Sequence, residues 1–181
     1  MLALCLEEPV AFSSYRYLLL RLPGGIPDCI QFVEHSKMDD DIIRILISTD
    51  NHLGFMEKDP VRCNDAMATF EEALFTAKAK SSDMMLLAGD LFHENKPSRR
   101  TLHGAIDLLK KYCYGDSPVY IEMLNEQSDV FKNRSGMLNY EDPFQAIGLP
   151  VFAIHGNHDD PSREGGSESL SAMDLLSVSN C

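Results

Sequence analysis

The chain has 181 residues, of which 44% are hydrophobic and 24% charged, and its 16 Lys and Arg against 28 Asp and Glu give a formal net charge of −12 at pH 7. This length is sufficient for one domain with a hydrophobic core, and the acidic balance argues against a protein that coats nucleic acid through basic charge. It does not exclude a nuclease, because carboxylates that gather around divalent cations are neutralised when the metal binds. No apolar run in the sequence has the length of a bilayer-spanning helix.

The five cysteines are widely scattered and include no C-x-x-C pair. An odd, dispersed set of this kind predicts reduced thiols and an intracellular protein rather than a disulfide framework or a zinc site.

Residues 1–37 differ in character from the rest of the chain. Glu7 and Glu8 precede the apolar part, arginines interrupt it, and Pro23-Gly24-Gly25 breaks any regular element. A secretory signal begins with positive charge and continues with an unbroken apolar core, so this pattern does not favour a signal. We interpret the segment as a largely disordered extension with at most one short strand or helix, and we expect the folded unit to span residues 38–181.

The folded unit alternates apolar strands with amphipathic helices. Ile42–Ile47 is almost continuously aliphatic, which predicts a strand buried on both faces of a parallel sheet. Apolar runs at 84–88 and 151–155 predict two further strands, and apolar residues at helical spacing predict intervening helices that end near Lys80 and Gly115. This β-α-β-α-β order predicts an α/β domain with a parallel sheet.

Two later regions complete the predicted elements. Residues 115–150 form a long irregular connection with a possible short strand at Pro118–Leu124, and a connection of this length favours a surface for a partner. A last helix is expected after Ser169.

Each of the three predicted strands ends in polar side chains. Asp50 and His52 follow the first strand, Asp90 follows the second, and Asn157 follows the third. We expect them to lie together, because ligands of α/β sheets bind at the carboxyl edge of the strands. Carboxylate, imidazole and amide ligands suit Mn²⁺, Mg²⁺ or Fe²⁺, and two such ions can clamp a phosphate and activate a water. Asp90 is the predicted bridging ligand, because Gly89 allows the backbone to approach closely.

Two residues beside the predicted ligands have predicted supporting roles. His158 is expected to face the substrate and to donate a proton to the departing oxygen or stabilise its charge. Asp159 is expected to orient His158. His93 and His155 are interpreted as structural. Taken singly, an Asp-x-His pair or a Gly-Asp turn is more often structural, but the three blocks in this order favour a metal site.

The same blocks carry a resemblance to a known family. Three short motifs resemble the signature of calcineurin-like metallophosphoesterases: Asp50-Asn51-His52, Gly89-Asp90 and Gly156-Asn157-His158-Asp159. Three longer stretches resemble the eukaryotic meiotic-recombination nucleases that repair DNA double-strand breaks: Ser48–Gly54, Gly89–Ser98 and His155–Pro161. The likeness covers about residues 38–180, and it implies the N-terminal part of a two-sheet α/β sandwich that is incomplete at its C-terminus.

The resemblance also implies an activity, partners and a location. It implies a Mn²⁺-dependent DNA exonuclease and endonuclease, with two Mn²⁺ ions in the complete domain and a metal-activated water that attacks a phosphodiester. It implies a nuclear homodimer that acts on DNA ends with a coiled-coil ATPase and a regulatory subunit, in double-strand-break repair and meiosis. It assigns Asp50, His52, Asp90 and Asn157 as metal ligands and His158 as the catalytic histidine, in agreement with the assignment from chemistry.

The chain departs from the family in its histidines. The family's metal site takes further histidines from two later stretches, whereas the six histidines here end at His158. We therefore expect residues 1–181 alone to cleave DNA weakly or not at all, and to regain activity when the later segment is added. A non-catalytic module that binds partners is one alternative. A phosphoprotein phosphatase is another, but Gly89–Glu94 and Gly156–Asp159 fit its motifs poorly.

Basic residues follow the first two ligand blocks, on the side where a phosphate would arrive. They are possible DNA contacts, with ordinary surface solvation as the alternative: Lys58, Arg62, Lys96, Arg99 and Arg100.

Overall fold

The computed structural model describes residues 16–21, 30–32, 42–123, 138–160 and 170–179, and before Ile43 it describes the backbone alone. The elements, in chain order, are β1 (Arg16–Arg21), β2 (Ile30–Phe32), β3 (Ile42–Ser48), α1 (Asp65–Ala79), β4 (Met84–Ala88), α2 (Arg99–Cys113), β5 (Ile121–Met123), a 3₁₀ helix (Asn139–Glu141), β6 (Val151–Ile154) and α3 (Ala172–Val178).

The main sheet has four strands in the order β1-β3-β4-β6. β3, β4 and β6 are mutually parallel, with Leu46 opposite Met85 and Ala88 opposite Ile154. The predicted β-α-β-α-β order is therefore confirmed in β3-α1-β4-α2-β6. Because the three strands run in the same direction, their carboxyl ends meet at one edge of the sheet, where the polar blocks begin.

The N-terminal segment contributes two strands where at most one short element was expected. β1 pairs antiparallel with β3, with Arg16 opposite Ile47 and Arg21 opposite Ile42, and β2 pairs antiparallel with β5. β1 forms because the outer edge of β3 presents unpaired backbone groups that an antiparallel strand can satisfy. The remainder of residues 1–37 lies outside the described part of the chain, and the domain boundary at residue 38 stays a prediction.

The core lies on the face of the sheet that the helices cover. Leu46 and Met85 of the sheet are fully buried in one cluster with Phe70 and Leu74 of α1, and α2 and α3 add further side chains to it. The prediction that β3 is buried on both faces was wrong, since Ile45 and its same-face neighbours in β3 are only half-buried. Burial of the helix-facing side chains, at about 25 cal/mol per Å² of apolar surface, stabilises this arrangement.

Helix boundaries follow local capping chemistry. The Ser98 hydroxyl accepts a hydrogen bond from Thr101 N–H at 3.1 Å and caps α2. Ser171 and Asp174 form a reciprocal capping box at α3. Asn64 occupies the N-cap position of α1 but makes no side-chain cap there.

Two of the predicted reduced cysteines lie in the described part of the chain. Neither Cys63 nor Cys113 forms a disulfide, as expected, whereas Cys5, Cys29 and Cys181 lie outside the described residues. None of the described helices combines the length and apolar character that crossing a membrane requires.

Candidate metal centre

The loops that follow β3 and β4 are paired with each other beyond the end of the sheet. Asp50 N–H donates to the Gly89 carbonyl at 3.2 Å, and His52 N–H donates to the Asp90 carbonyl at 3.0 Å. The pairing continues to Leu53, which is 1% exposed. The two acidic blocks are therefore held side by side by backbone hydrogen bonds.

The same residues have an uncommon backbone conformation. Asp50, His52 and Asp90 have positive φ angles of 55°, 47° and 51°. A left-handed conformation costs roughly 1–2 kcal/mol for a residue with a Cβ atom, and such residues concentrate at functional sites, where the surrounding structure holds them in place.

One group of possible ligands combines two carboxylates with an imidazole. Ligand atoms of Asp50, His52 and Asp90 all lie within 4.8 Å of one another. His52 Nε2 is 3.8 Å from Asp50 Oδ1, and the Thr49 hydroxyl donates to Asp50 Oδ2 at 2.8 Å. Asp90 is 9% exposed, whereas Asp50 opens to solvent. A hard or borderline divalent cation suits this site, because two carboxylates and an imidazole lie close enough together to bind the same ion.

A second group consists of three imidazoles. Ligand nitrogens of His52, His93 and His158 lie within 4.8 Å of one another. The ring centroids are 4.8 Å apart for His52 and His158, 5.4 Å for His52 and His93, and 5.2 Å for the nearly parallel rings of His93 and His158.

The interpretation of His93 as merely structural does not agree with this geometry. His93 N–H donates to the Leu53 carbonyl at 3.0 Å, which places the His93 ring against the His52 ring. The signal that could have found it is its position three residues after Asp90, on a loop leaving the same strand.

His158 is held by two hydrogen bonds. Its backbone N–H donates to Asp90 Oδ1 at 2.8 Å, and its ring Nδ1 lies 2.8 Å from the His93 carbonyl. A carbonyl can only accept, so Nδ1 carries the proton. The Nε2 atom is then an acceptor in the neutral ring and a donor in the charged ring, as proton transfer to a departing oxygen requires.

The expected contact of Asp159 with the His158 ring is replaced by backbone contacts. Asp159 is 0% exposed, and its Oδ2 accepts from Leu91 N–H at 2.8 Å while its Oδ1 accepts from Gly156 N–H at 2.6 Å. The carboxylate therefore joins the loop after β6 to the loop after β4. His155 Nδ1 lies 3.1 Å from the Asp159 carbonyl, as suits a structural histidine.

Close approach of the third loop to Asp90 depends on Gly156. A Cβ atom at Gly156 would lie 2.1 Å from Asp90 Oδ1 and 2.4 Å from Asp90 N. Asn157 is exposed and lies between Gly156 and His158, both of which contact Asp90. Its assignment as a metal ligand stays a prediction.

Comparison with known proteins places this arrangement in a family. Residues 43–180 match the profile of the calcineurin-like phosphoesterases. The chain belongs to the calcineurin-like phosphoesterase family.

Individual members of the family are similar to this chain at about half of the aligned positions. The double-strand break repair protein MRE11 of Arabidopsis thaliana is 51% identical over 140 residues, the Mus musculus protein 53% and the Homo sapiens protein 52%. Each alignment covers 77% of this chain and 19% of the relative. The chain thus spans about a fifth of the length of these relatives.

The five predicted DNA contacts of this phosphoesterase chain are all exposed. They lie in the loops that follow β3 and β4 or in the first turn of α2. Arg62 forms an ion pair with Asp65 at 3.0 Å, and Arg100 donates to Asn64 Oδ1 at 3.0 Å. Two of the basic side chains are thus held near the start of α1, and the contact of all five with DNA stays a prediction.

A pocket in the described part of the chain lies away from the candidate metal centre. Its volume is about 330 Å³, and Gly115, Tyr140 and Ile147 are among its lining residues. It lies beyond the C-terminal end of α2, whereas the metal centre lies at the other end of that helix. The donor set, rather than the size of a cavity, identifies the site, since phosphate chemistry on a polymer needs an open surface.

Proposed function

We propose that this chain is the metal-binding part of a DNA nuclease that hydrolyses phosphodiesters in double-strand-break repair. The observation that carries the proposal is the meeting of Asp50, His52 and Asp90 with the His52–His93–His158 imidazole group at one sheet edge. The names of the MRE11 relatives supply the repair context.

The residues have complementary tasks in this proposal. Asp50, His52, Asp90 and Asn157 hold divalent cations, with Asp90 as the shared ligand. We propose Mn²⁺, which tolerates this mixture of oxygen and nitrogen ligands. A divalent cation held by these residues would polarise a phosphate and make a water molecule more acidic.

His158 handles the proton of the departing oxygen in this proposal. Its Nδ1 proton is held by the His93 carbonyl, so Nε2 is the nitrogen free to meet the substrate. The hydrogen bond from His158 N–H to Asp90 fixes this ring relative to the metal ligand. A positioned imidazole of this kind contributes roughly 10²- to 10⁴-fold to rate by general acid–base catalysis.

The wider setting is part of the same proposal. The nuclease acts on DNA ends in the nucleus, in repair and in meiotic recombination, as a homodimer with a coiled-coil ATPase and a regulatory subunit. Lys58, Arg62, Lys96, Arg99 and Arg100 contact the DNA backbone. Such contacts position the duplex without reading its sequence.

A Mn²⁺-dependent assay with end-labelled DNA tests the proposal. Residues 1–181 are expected to bind the DNA end in a Mn²⁺-dependent manner and to show weak cleavage at most, because the six histidines end at His158 and the resemblance implies further histidine ligands from later stretches. Asp90→Asn should abolish both effects, whereas His103→Asn, at an exposed position of α2, should change neither. Preference for phosphoprotein over DNA, or DNA binding indifferent to Asp90→Asn, would contradict the proposal.

A further inference from the structure

The loop after β3 presents large apolar side chains to solvent beside the metal centre. Phe55 is 40% exposed and Met56 is 43% exposed, and Met56 has a positive φ of 54°. Phe55 N–H donates to the His52 carbonyl at 2.9 Å, and the preceding Leu53 is buried. The buried Leu53 anchors this tight turn in the core. The turn therefore holds the exposed Phe55 close to His52, a candidate metal ligand.

The Phe55 ring continues the row of rings that starts inside the site. Its centroid is 4.9 Å from that of His93, with an interplanar angle of 79°. His93 in turn stacks on His158 at 5.2 Å and 20°. Phe55 is thus one ring away from the histidine proposed to meet the scissile phosphate, and a substantial part of it is free to contact another molecule.

We propose that Phe55 forms a stacking subsite for the nucleobase next to the scissile phosphate, an inference that rests on the proposed function. Each nucleotide carries a flat base close to its phosphate, and every base has a π-face that stacks on an aromatic ring whatever the sequence. An exposed phenylalanine beside a phosphate-cleaving centre therefore supplies affinity without sequence preference.

Exposed cationic side chains, which attract the phosphates of a strand, lie on the loop that carries Phe55 and on the neighbouring loop. Lys58 and Arg62 lie on the same loop as Phe55, and Lys96 lies on the neighbouring loop, all of them exposed. The base must be unstacked to reach the ring, because a base inside a duplex has both faces covered by its neighbours. The subsite accordingly selects frayed or single-stranded termini.

Binding of labelled single-stranded oligonucleotides in the presence of Mn²⁺, followed by fluorescence anisotropy, tests the subsite. One oligonucleotide carries all its bases, and a second has the same backbone with the bases removed from its terminal nucleotides. Phe55→Ala should weaken binding of the first roughly 5- to 100-fold, the range expected for loss of one base–aromatic stack. Binding of the second should be unchanged, and Phe55→Tyr, which keeps the ring, should bind both as the wild type does.

Val61→Ala is the matched control, because Val61 is an apolar residue of the same loop and 83% exposed. It should leave both affinities unchanged. An equal loss on both oligonucleotides in Phe55→Ala, no loss on either, or a lowered Mn²⁺ affinity of that variant would overturn the subsite while leaving the nuclease proposal in place. Failure of the wild-type chain to bind either oligonucleotide would overturn the nuclease proposal together with the subsite.

Discussion

At the scale of single residues, Asp159 determines how the third loop meets the other two. Its two oxygens accept from the backbone N–H groups of Leu91 and Gly156. Leaving a buried N–H group without an acceptor costs roughly 1–3 kcal/mol. A fully buried carboxylate is stable here because both oxygens are hydrogen-bonded at the point where two loops join.

Asp159→Asn should therefore destabilise the fold by about 2–4 kcal/mol, because the amide NH₂ would oppose one of the two N–H donors. Urea unfolding followed by circular dichroism measures this loss. The neighbouring Asp160 is exposed. The free energy of unfolding of Asp160→Asn should therefore stay within about 0.5 kcal/mol of the wild-type value. Equal stability of the two variants would show that the Asp159 contacts do not hold the loops together.

Gly156→Ala tests the close approach at Asp90. The added Cβ atom would lie 2.1 Å from Asp90 Oδ1, so either the carboxylate or the loop must move. Overpacking of this kind costs roughly 1–3 kcal/mol. Gly115→Ala is the matched control, since a Cβ atom there meets nothing within 4 Å. Unfolding midpoints in urea should fall for Gly156→Ala alone, and an unchanged midpoint would contradict the packing at Asp90.

At the scale of elements, a carboxylate connects the loop after β3 with the start of α2. Glu57 Oε2 accepts from the Ser98 and Thr101 hydroxyls, each at 2.8 Å. These two hydrogen bonds, the Ser98 bond first, lower the pKa of Glu57 below its usual value. The charged form is therefore the one that joins the loop to the helix.

This connection predicts a pH dependence of stability. A lowered pKa in the folded state means that the contribution is complete above the unfolded pKa and is lost as the pH falls through the folded pKa. Glu57→Gln should lower the free energy of unfolding by about 1 kcal/mol at neutral pH. On acidification its stability should fall less than that of the wild type. Thermal unfolding between neutral and acidic pH measures both. Glu72→Gln, at an exposed position of α1, should retain the wild-type profile, and an identical profile in Glu57→Gln would contradict the connection.

The strands and helices could be predicted from the sequence because each leaves a local pattern in it. An aliphatic run such as Ile42–Ile47 predicts a strand, the helical spacing of apolar residues predicts a helix, and Ser98 marks a helix start by its own side chain. The pairing of β1 with β3 was not accessible, because it depends on a sheet edge and not on local pattern. The helix-facing burial of β3 likewise depends on which face the helices cover.

The candidate metal site could be predicted from the sequence only in part. Asp50, His52 and Asp90 were brought together as predicted, since strand ends in a parallel sheet converge. The place of His93 in the imidazole group and the role of Asp159 depend on hydrogen bonds between loops, and no local pattern encodes those.

At the scale of the whole molecule, the acidic net charge and the candidate metal centre are related, because carboxylates contribute to both. The chain carries a net charge of −12, and two of its carboxylates converge with three imidazoles at the sheet edge. Carboxylates gathered in this way repel each other until a cation neutralises them. The three loops that carry the candidate ligands come from distant parts of the sequence, so cation binding there would stabilise the correct fold.

The most direct test of the account is a calorimetric titration of residues 1–181 with Mn²⁺, compared between the wild type and Asp90→Asn. Saturable binding is expected for the wild type, with a loss of roughly 10-fold or more in affinity for Asp90→Asn, because Asp90 is the proposed ligand that all three loops surround. Absence of saturable binding in the wild type, or equal affinity in the two proteins, would contradict it.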